Sequence, residues 1–397
     1  MPKIKPEVES FARIKVIGAG GSGGNVINHM VDSKVKGIDF IAINTDSQDL
    51  HHSLAKKKIH IGKNLTKGLG TGMNPEAGRK AAEETKEEIQ EAVKGADMVF
   101  VSCGMGGGTG TGAAPVIARV AKEEGALTIG VVTKPFFFEG ANRSNIAEKG
   151  LDELSAEVDA LIVIPNDRLL SLTDKDTTFL DAFSMCDEVL RQAVEGISDL
   201  ITTPGIINVD FADIRSVMAN AGSALMGIGF GTGEKRAEEA ALSAINSPLL
   251  DLSITGAHGV LFAIAGGSDM TMHEIQDAAK IITESIDGNA KVIFGAIKDD
   301  KLKKDAIKIT VIASGFDGEP AKSSLFNTGT TPTDASKKED SNLPAGKAGK
   351  PIEKQLQAPK REIHNEILTQ KKTSSKPTSE EDEDWNAIPA FLRRGKK

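Results

Sequence analysis

The stretch "GGGTGTG", Gly106–Gly112, lies between the apolar run "ADMVFVS" and the helix-forming "AAPVIARVAKEEG". Glycine and threonine offer almost nothing to pack, so the backbone is the working part of this segment. Backbone N–H groups at a helix N-terminus form a cradle for phosphate. The familiar phosphate loop G-x-x-x-x-G-K-[ST] adds a lysine, and Gly106–Gly112 has none. The positive charge facing a phosphate must therefore come from elsewhere.

Working outward, "RIKVI" precedes a second glycine loop, "GAGGSGG" (Gly18–Gly24), and the helix candidate "NVINHMVDS". "FIAINTD" follows, then "GLGTGMNPEAGRKAAEE", and "LTIGVVTKP" and "ALIVIPN" continue the series after the opening loop. Strand, loop and helix in this rhythm predict an α/β fold with a parallel sheet covered on both faces. Ligands in such sheets bind at the carboxyl ends of strands, where both glycine loops fall. Within "TTFLDAFSMCDEVLRQAVEGISDLITTPG", Phe183, Cys186, Leu190, Val194, Ile197 and Ile201 recur at three- and four-residue steps. That stripe predicts a helix about 35 Å long, ended by Thr203, Pro204 and Gly205. Beyond it, "ALMGIGFG", "GVLFAIAGG", "KVIFGAI" and "AIKITVIASG" read as strands, with "EKRAEEAALSAIN" and "MHEIQDAAKIITESI" as helices between them.

These textures divide the 397 residues into a flexible N-terminus (1–10), a Rossmann-like nucleotide domain (11–177), a central helix (178–203) and a second α/β domain (204–316). A linker (317–383) rich in Thr, Ser, Lys, Pro and Gly is predicted to be disordered, because it cannot bury enough surface to offset its chain entropy. A terminal peptide (384–397) then places Trp385, Ile388, Pro389, Phe391 and Leu392 ahead of a basic cluster, the pattern of a docking segment that folds on its partner. The net charge of −8 argues against a general nucleic-acid binder. Cys103 and Cys186 form no metal or disulfide pattern and suit a reducing cytoplasm. No signal-peptide pattern opens the chain, and no run of about 18 apolar residues could span a membrane.

Gly18, Gly20 and Gly23 match G-x-G-x-x-G, with Asp46 downstream, so an NAD-dependent oxidoreductase is one reading. A dinucleotide site uses one phosphate loop, however. Two facing loops suit a mononucleotide with a long phosphate tail.

"GAGGSGGN", "NTDSQ", "GLGTGMNPE", "GGGTGTG", "VTKPFFFEG" and "NVDFAD", in this order, resemble bacterial FtsZ, the tubulin-like cell-division GTPase, and "IPAFL" is similar to that family's terminal docking peptide. The resemblance implies a tubulin/FtsZ-like fold binding GTP or GDP. Gly20, Gly21, Ser22, Gly23, Gly24 and Asn25 would line the nucleotide from one loop, with Asp46 and Gly72 nearby. Gly106, Gly107, Gly108, Thr109, Gly110 and Thr111 would hold the phosphates, aided by the N-terminus of the helix after Gly112 and by Mg²⁺ in place of lysine. Glu139 would reach the ribose, Arg143 the phosphate end and Phe183 the guanine face, with Asn166 also in the site. Asp187 could accept hydrogen bonds from guanine N1–H and the exocyclic amine, a pair of donors that adenine lacks.

Carboxylates suited to activating water are absent from the first loops but present in "GIINVDFADIRSV". Asp213 also reads as an N-cap for the helix "IRSVMANAG", and the two roles are compatible. The resemblance implies that subunits stack head to tail and that Asn208, Asp210 and Asp213 act on the GTP of the next subunit at a mid-cell division ring. Membrane-associated division adaptors would then bind the terminal peptide. A GTP-binding structural filament with little hydrolysis is the other reading from this resemblance.

Overall fold

The computed structural model describes residues 12–170, 177–203, 205–250, 254–299 and 301–316. The linker and docking peptide lie outside the described residues, as do residues 1–11.

In chain order the first half runs β1 (Ile14–Ala19), α1 (Gly20–Asp32), β2 (Ile38–Asn44), α2 (Ser47–His52), β3 (Lys57–His60), α3 (Lys63–Thr66), α4 (Pro75–Glu84), α5 (Lys86–Val93) and β4 (Met98–Gly104). It continues with α6 (Thr109–Glu123), β5 (Leu127–Lys134), α7 (Ala141–Ser155), β6 (Ala160–Pro165) and α8 (Asn166–Leu170). The long helix α9 (Phe179–Thr202) leads to α10 (Phe211–Met218), β7 (Gly222–Thr232), α11 (Arg236–Ile245), β8 (Ala257–Gly266), α12 (Met272–Glu284), β9 (Lys291–Lys298) and β10 (Ala306–Phe316).

All ten strands join one mixed sheet in the order β3-β2-β1-β4-β5-β6-β7-β10-β8-β9. β1 to β6 are parallel, as their separation by helices requires. β7 joins β6 in parallel through three residue pairs, Ala160↔Gly222 to Ile162↔Ala224, and β10 then runs antiparallel between β7 and β8. One apolar core lies between the sheet and α1 and α9, and draws on both halves of the chain, from Val16 and Phe100 to Met226 and Ile312. The second half also has a core of its own, where Ala240, Ala244, Ile275 and Ile282 meet Ile307, Ile309 and Val311 of β10. Residues 307, 309 and 311 share one face because strand side chains alternate.

Three sequence expectations need correction. α1 begins at Gly20 and α6 at Thr109, each inside its glycine segment, rather than at Asn25 and after Gly112. The helix after "NVD" is capped by Asp210, whose carboxylate accepts from Ala212 N–H; Asp213 sits in the first turn. Asp210 has the extended backbone an N-cap needs (φ −77°, ψ 146°), and helix geometry already begins at Phe211.

Candidate nucleotide site

The strand order reverses between β1 and β4: chain progress runs towards β3 on one side and β6 on the other. A crevice opens at the carboxyl ends of strands at such a switch point. Both glycine segments stand there, one after each of these two strands. β1 runs directly into α1, and Gly108 caps α6, so each segment supplies the first turn of a helix. The first-turn amides of a helix have no intrahelical acceptor and carry its positive dipole end. That field stands in for the missing lysine.

Close approach explains the glycines. Gly20 has φ +72°, and a methyl there would lie 2.9 Å from Gly110 N. A methyl on Gly112 would meet Pro75 O at 1.9 Å, so α4 crosses α6 backbone to backbone. Asn74 caps α4 by accepting from Glu76 and Ala77 N–H, and Pro75 occupies its first turn, which sets the entry of the Gly72 segment over Gly108. Three hydroxyls join the loops: Thr109 Oγ1 lies 2.8 Å from Thr45 Oγ1 and 3.3 Å from Thr71 Oγ1. Ser22 Oγ accepts from Gly104 N–H at 2.7 Å, and Thr111 Oγ1 accepts from Gly106 N–H at 3.0 Å. Thr111 is buried and braces its loop, whereas Gly21, Ser22 and Asn25 are exposed. Asp46 caps α2, accepting from Gln48 and Asp49 N–H.

On the β5–β6 side, Glu139 Oε1 accepts from Phe136 N–H at 2.8 Å, and its Oε2 pairs with Arg143 at 3.1 Å. Arg143 Nε and Asn166 Oδ1 are buried with no hydrogen-bond partner among the described residues. Buried polar atoms of this kind are rare in proteins and fit a polar ligand. Phe183 stands edge-on to Phe136, with ring centroids 5.1 Å apart. Half-buried Asp187 lies one turn further along α9; burial pushes its carboxyl up to about 6, opposed by His29.

Sequence reading passed over Asn44, Thr45, Asp49, Thr71 and His29. Asn44 Nδ2 donates to Asp49 Oδ2 at 2.6 Å, and that oxygen lies 3.4 Å from the Cβ position of Gly21. Burial and then Asp46 raise the Asp49 carboxyl. Asn44 and Thr45 were within reach, since they open the "NTDSQ" segment; Asp49 carries no motif. Among the described residues no group of three or more His, Cys, Asp or Glu is gathered for a metal ion.

Asn208, Asp210 and Asp213 are exposed beyond the other end of α9. Asn208 Oδ1 accepts from Gly205 N–H at 2.7 Å. From Asp187 to Thr202 the helix rises about 22 Å, so these residues stand apart from the glycine loops of their own chain.

A Rossmann-ordered sheet, two glycine helix starts at its switch point and a long helix into a second α/β half define a GTPase of the tubulin/FtsZ class. The sequence profile of the Tubulin/FtsZ family, GTPase domain, matches residues 13–174, and that of the FtsZ family, C-terminal domain, matches residues 222–317. The chain belongs to the FtsZ family of tubulin-like cell-division GTPases. A structure described as an empty FtsZ dimer from M. jannaschii is 46% identical, covering 77% of this chain and 89% of that one at a TM-score of 0.75. A single-residue mutant of M. jannaschii FtsZ is 45% identical over 77% of this chain and 92% of its own, at a TM-score of 0.74. GDP-bound CetZ1 from Haloferax volcanii shares the fold at 24% identity and a TM-score of 0.67, covering 78% and 96% of the two chains. The oxidoreductase reading falls away, because its glycine fingerprint belongs to a GTPase domain.

Proposed function

We propose that the chain polymerises head to tail and hydrolyses GTP at the junction between subunits. The nucleotide would lie across the two helix starts, its phosphates on the amides of Gly20–Gly24 and Gly107–Gly110. Arg143 would face the phosphate end, Glu139 the ribose, and Asn166, Phe183 and Asp187 the base. Mg²⁺, when bound, neutralises charge on the phosphate oxygens. With no protein cage for it among the described residues, phosphate and water would supply most of its ligands, with the Asp49 carboxylate standing against Gly21 of the first loop.

The observation that carries the reading is the length of α9. Twenty-four residues rise about 36 Å, which holds Asn208, Asp210 and Asp213 away from the switch-point crevice. They serve catalysis only by entering the crevice of another subunit, where Asp213 accepts the proton of the attacking water. Exposed apolar side chains support contacts at both places: Leu69 (70%), Phe137 (74%) and Leu180 (79%) near the crevice, and Ile206 (58%) beside Asn208. The M. jannaschii relative, described as a dimer, also supports self-association.

No described helix is long and apolar enough to cross a membrane. Attachment beneath the membrane at a mid-cell division site would fall to adaptors that bind Trp385, Ile388, Pro389, Phe391 and Leu392. GTP turnover per subunit, measured over a range of protein concentrations, tests the reading. A threshold below which turnover vanishes is expected; a rate per subunit independent of concentration would mean that one chain holds a complete site.

A further inference from the structure

α1 starts in the first glycine segment and packs along α9, which carries Phe183 and Asp187. A polar tie between these helices is His29, whose Nε2 lies 2.9 Å from Glu188 Oε2. Arg191 fixes the same carboxylate from the other side, with Nε donating to Oε2 at 2.7 Å and Nη2 to Oε1 at 2.6 Å. Gln192 Nε2 adds a donor to Oε1. Glu188 is therefore held firmly enough to anchor the imidazole, and Asp187 is its neighbour in the chain.

We propose that His29 is a positioning residue for base recognition: its hydrogen bond to Glu188 ties the Asp187 turn of α9 to α1 and keeps the imidazole beside that turn. The inference rests on the reading of Asp187 as the base-recognition group. An ionised Asp187 offers acceptors to both guanine donors, whereas the protonated acid turns one oxygen into a donor and mismatches the base edge. Burial works against the ionised form, and His29 is the group from α1 that opposes it. Around this point, Glu188 and Arg191 follow on α9, and Asp187 and Glu139 both bear on the Cys186 thiol. α8 also packs on α9 and carries Asp167 and Arg168, with Asp167 Oδ1 accepting from Phe137 N–H.

The test uses the full chain and two probes, GDP and inosine diphosphate, which lacks the exocyclic amine. Binding is measured calorimetrically between about pH 5 and pH 8, across the range where an imidazole changes charge. His29→Arg places a permanent cation by the carboxylate and should move the acid midpoint of GDP affinity down by roughly 1 pH unit. His29→Gln keeps a donor for Glu188 without charge and should move it up. The GDP preference over inosine diphosphate should follow the same midpoint. Asp187→Ala should abolish that preference. If Asp187→Ala keeps the preference, the base-recognition reading fails. If Asp187→Ala loses it while both His29 variants keep the wild-type midpoint, or shift it in the same direction, the role of His29 fails alone.

Discussion

Gly20 bears two demands at once, a left-handed backbone and contact with the amide of Gly110. Alanine there costs about 1–2 kcal/mol in backbone strain alone and forces the two helix starts apart. Gly20→Ala should weaken GDP binding by about tenfold or more; unchanged affinity by calorimetry would mean that the amides are not the cradle. Asp187 sets a pH dependence whose sign is fixed. Burial raises its carboxyl to about 6, so the free protein takes up a proton as pH falls through that value. On the proposed base contact GDP takes the ionised form, so affinity should fall on acidification, by at most about tenfold per pH unit for one proton. Binding near pH 6 should also release protons, which titration in buffers of different ionisation heat would detect.

At the scale of elements, α9 holds a row of charge that is half-buried at Glu188 and Arg191 and buried at Glu195. Arg191 joins Glu188 to Glu195, and Lys301 Nζ reaches Glu195 at 3.2 Å from the second half of the chain. Burial opposes ionisation of Glu188, yet the Arg191 and His29 hydrogen bonds pull its carboxyl down to about 2. Removing the guanidinium strands two carboxylates, and Arg191→Met should cost about 3 kcal/mol in chemical denaturation. Asp199 is the opposite case: burial and then Glu195 push it up to about 6, and it lies near the negative end of the helix dipole. Its raised carboxyl destabilises the fold above about pH 6 and ceases to do so as pH falls towards the unfolded value. Asp199→Asn should therefore raise Tm at pH 8 and lose that advantage near pH 4; equal melting at pH 8 would contradict this. The hydrophobic stripe of α9 was legible because it repeats along one chain segment. The charge row was not, since Lys301 meets Glu195 across 106 residues. The helix starts were misread for a related reason: glycine is a poor helix former, and only contacts such as Gly112 against Pro75 hold these turns in place.

For the whole molecule, sequence texture marked two α/β halves, but three residue pairs between β6 and β7 make their strands one sheet. Pairing between strands so far apart leaves no local pattern, whereas β1 to β6 announced themselves by alternating with helices. The sheet and α9 fix how far Asp213 stands from its own crevice, and this yields the sharpest expectation. A subunit with Asp213→Ala should bind GTP normally and turn it over slowly, by general-base loss of about 10²–10⁴-fold. A subunit with Gly20→Ala should keep Asp213 but bind nucleotide poorly. At a GTP concentration that fills the unaltered crevice but not that of Gly20→Ala, each alone should be nearly inactive. Mixed in equal amounts, junctions that join the intact crevice of one to the intact Asp213 of the other should restore turnover well above the sum of the two. Such rescue requires that the crevice and the carboxylate come from different chains. If the mixture stays at the sum of its parts while both variants still co-assemble in sedimentation, each chain must use its own Asp213, and the separation imposed by α9 would have to be overcome by movement within one subunit.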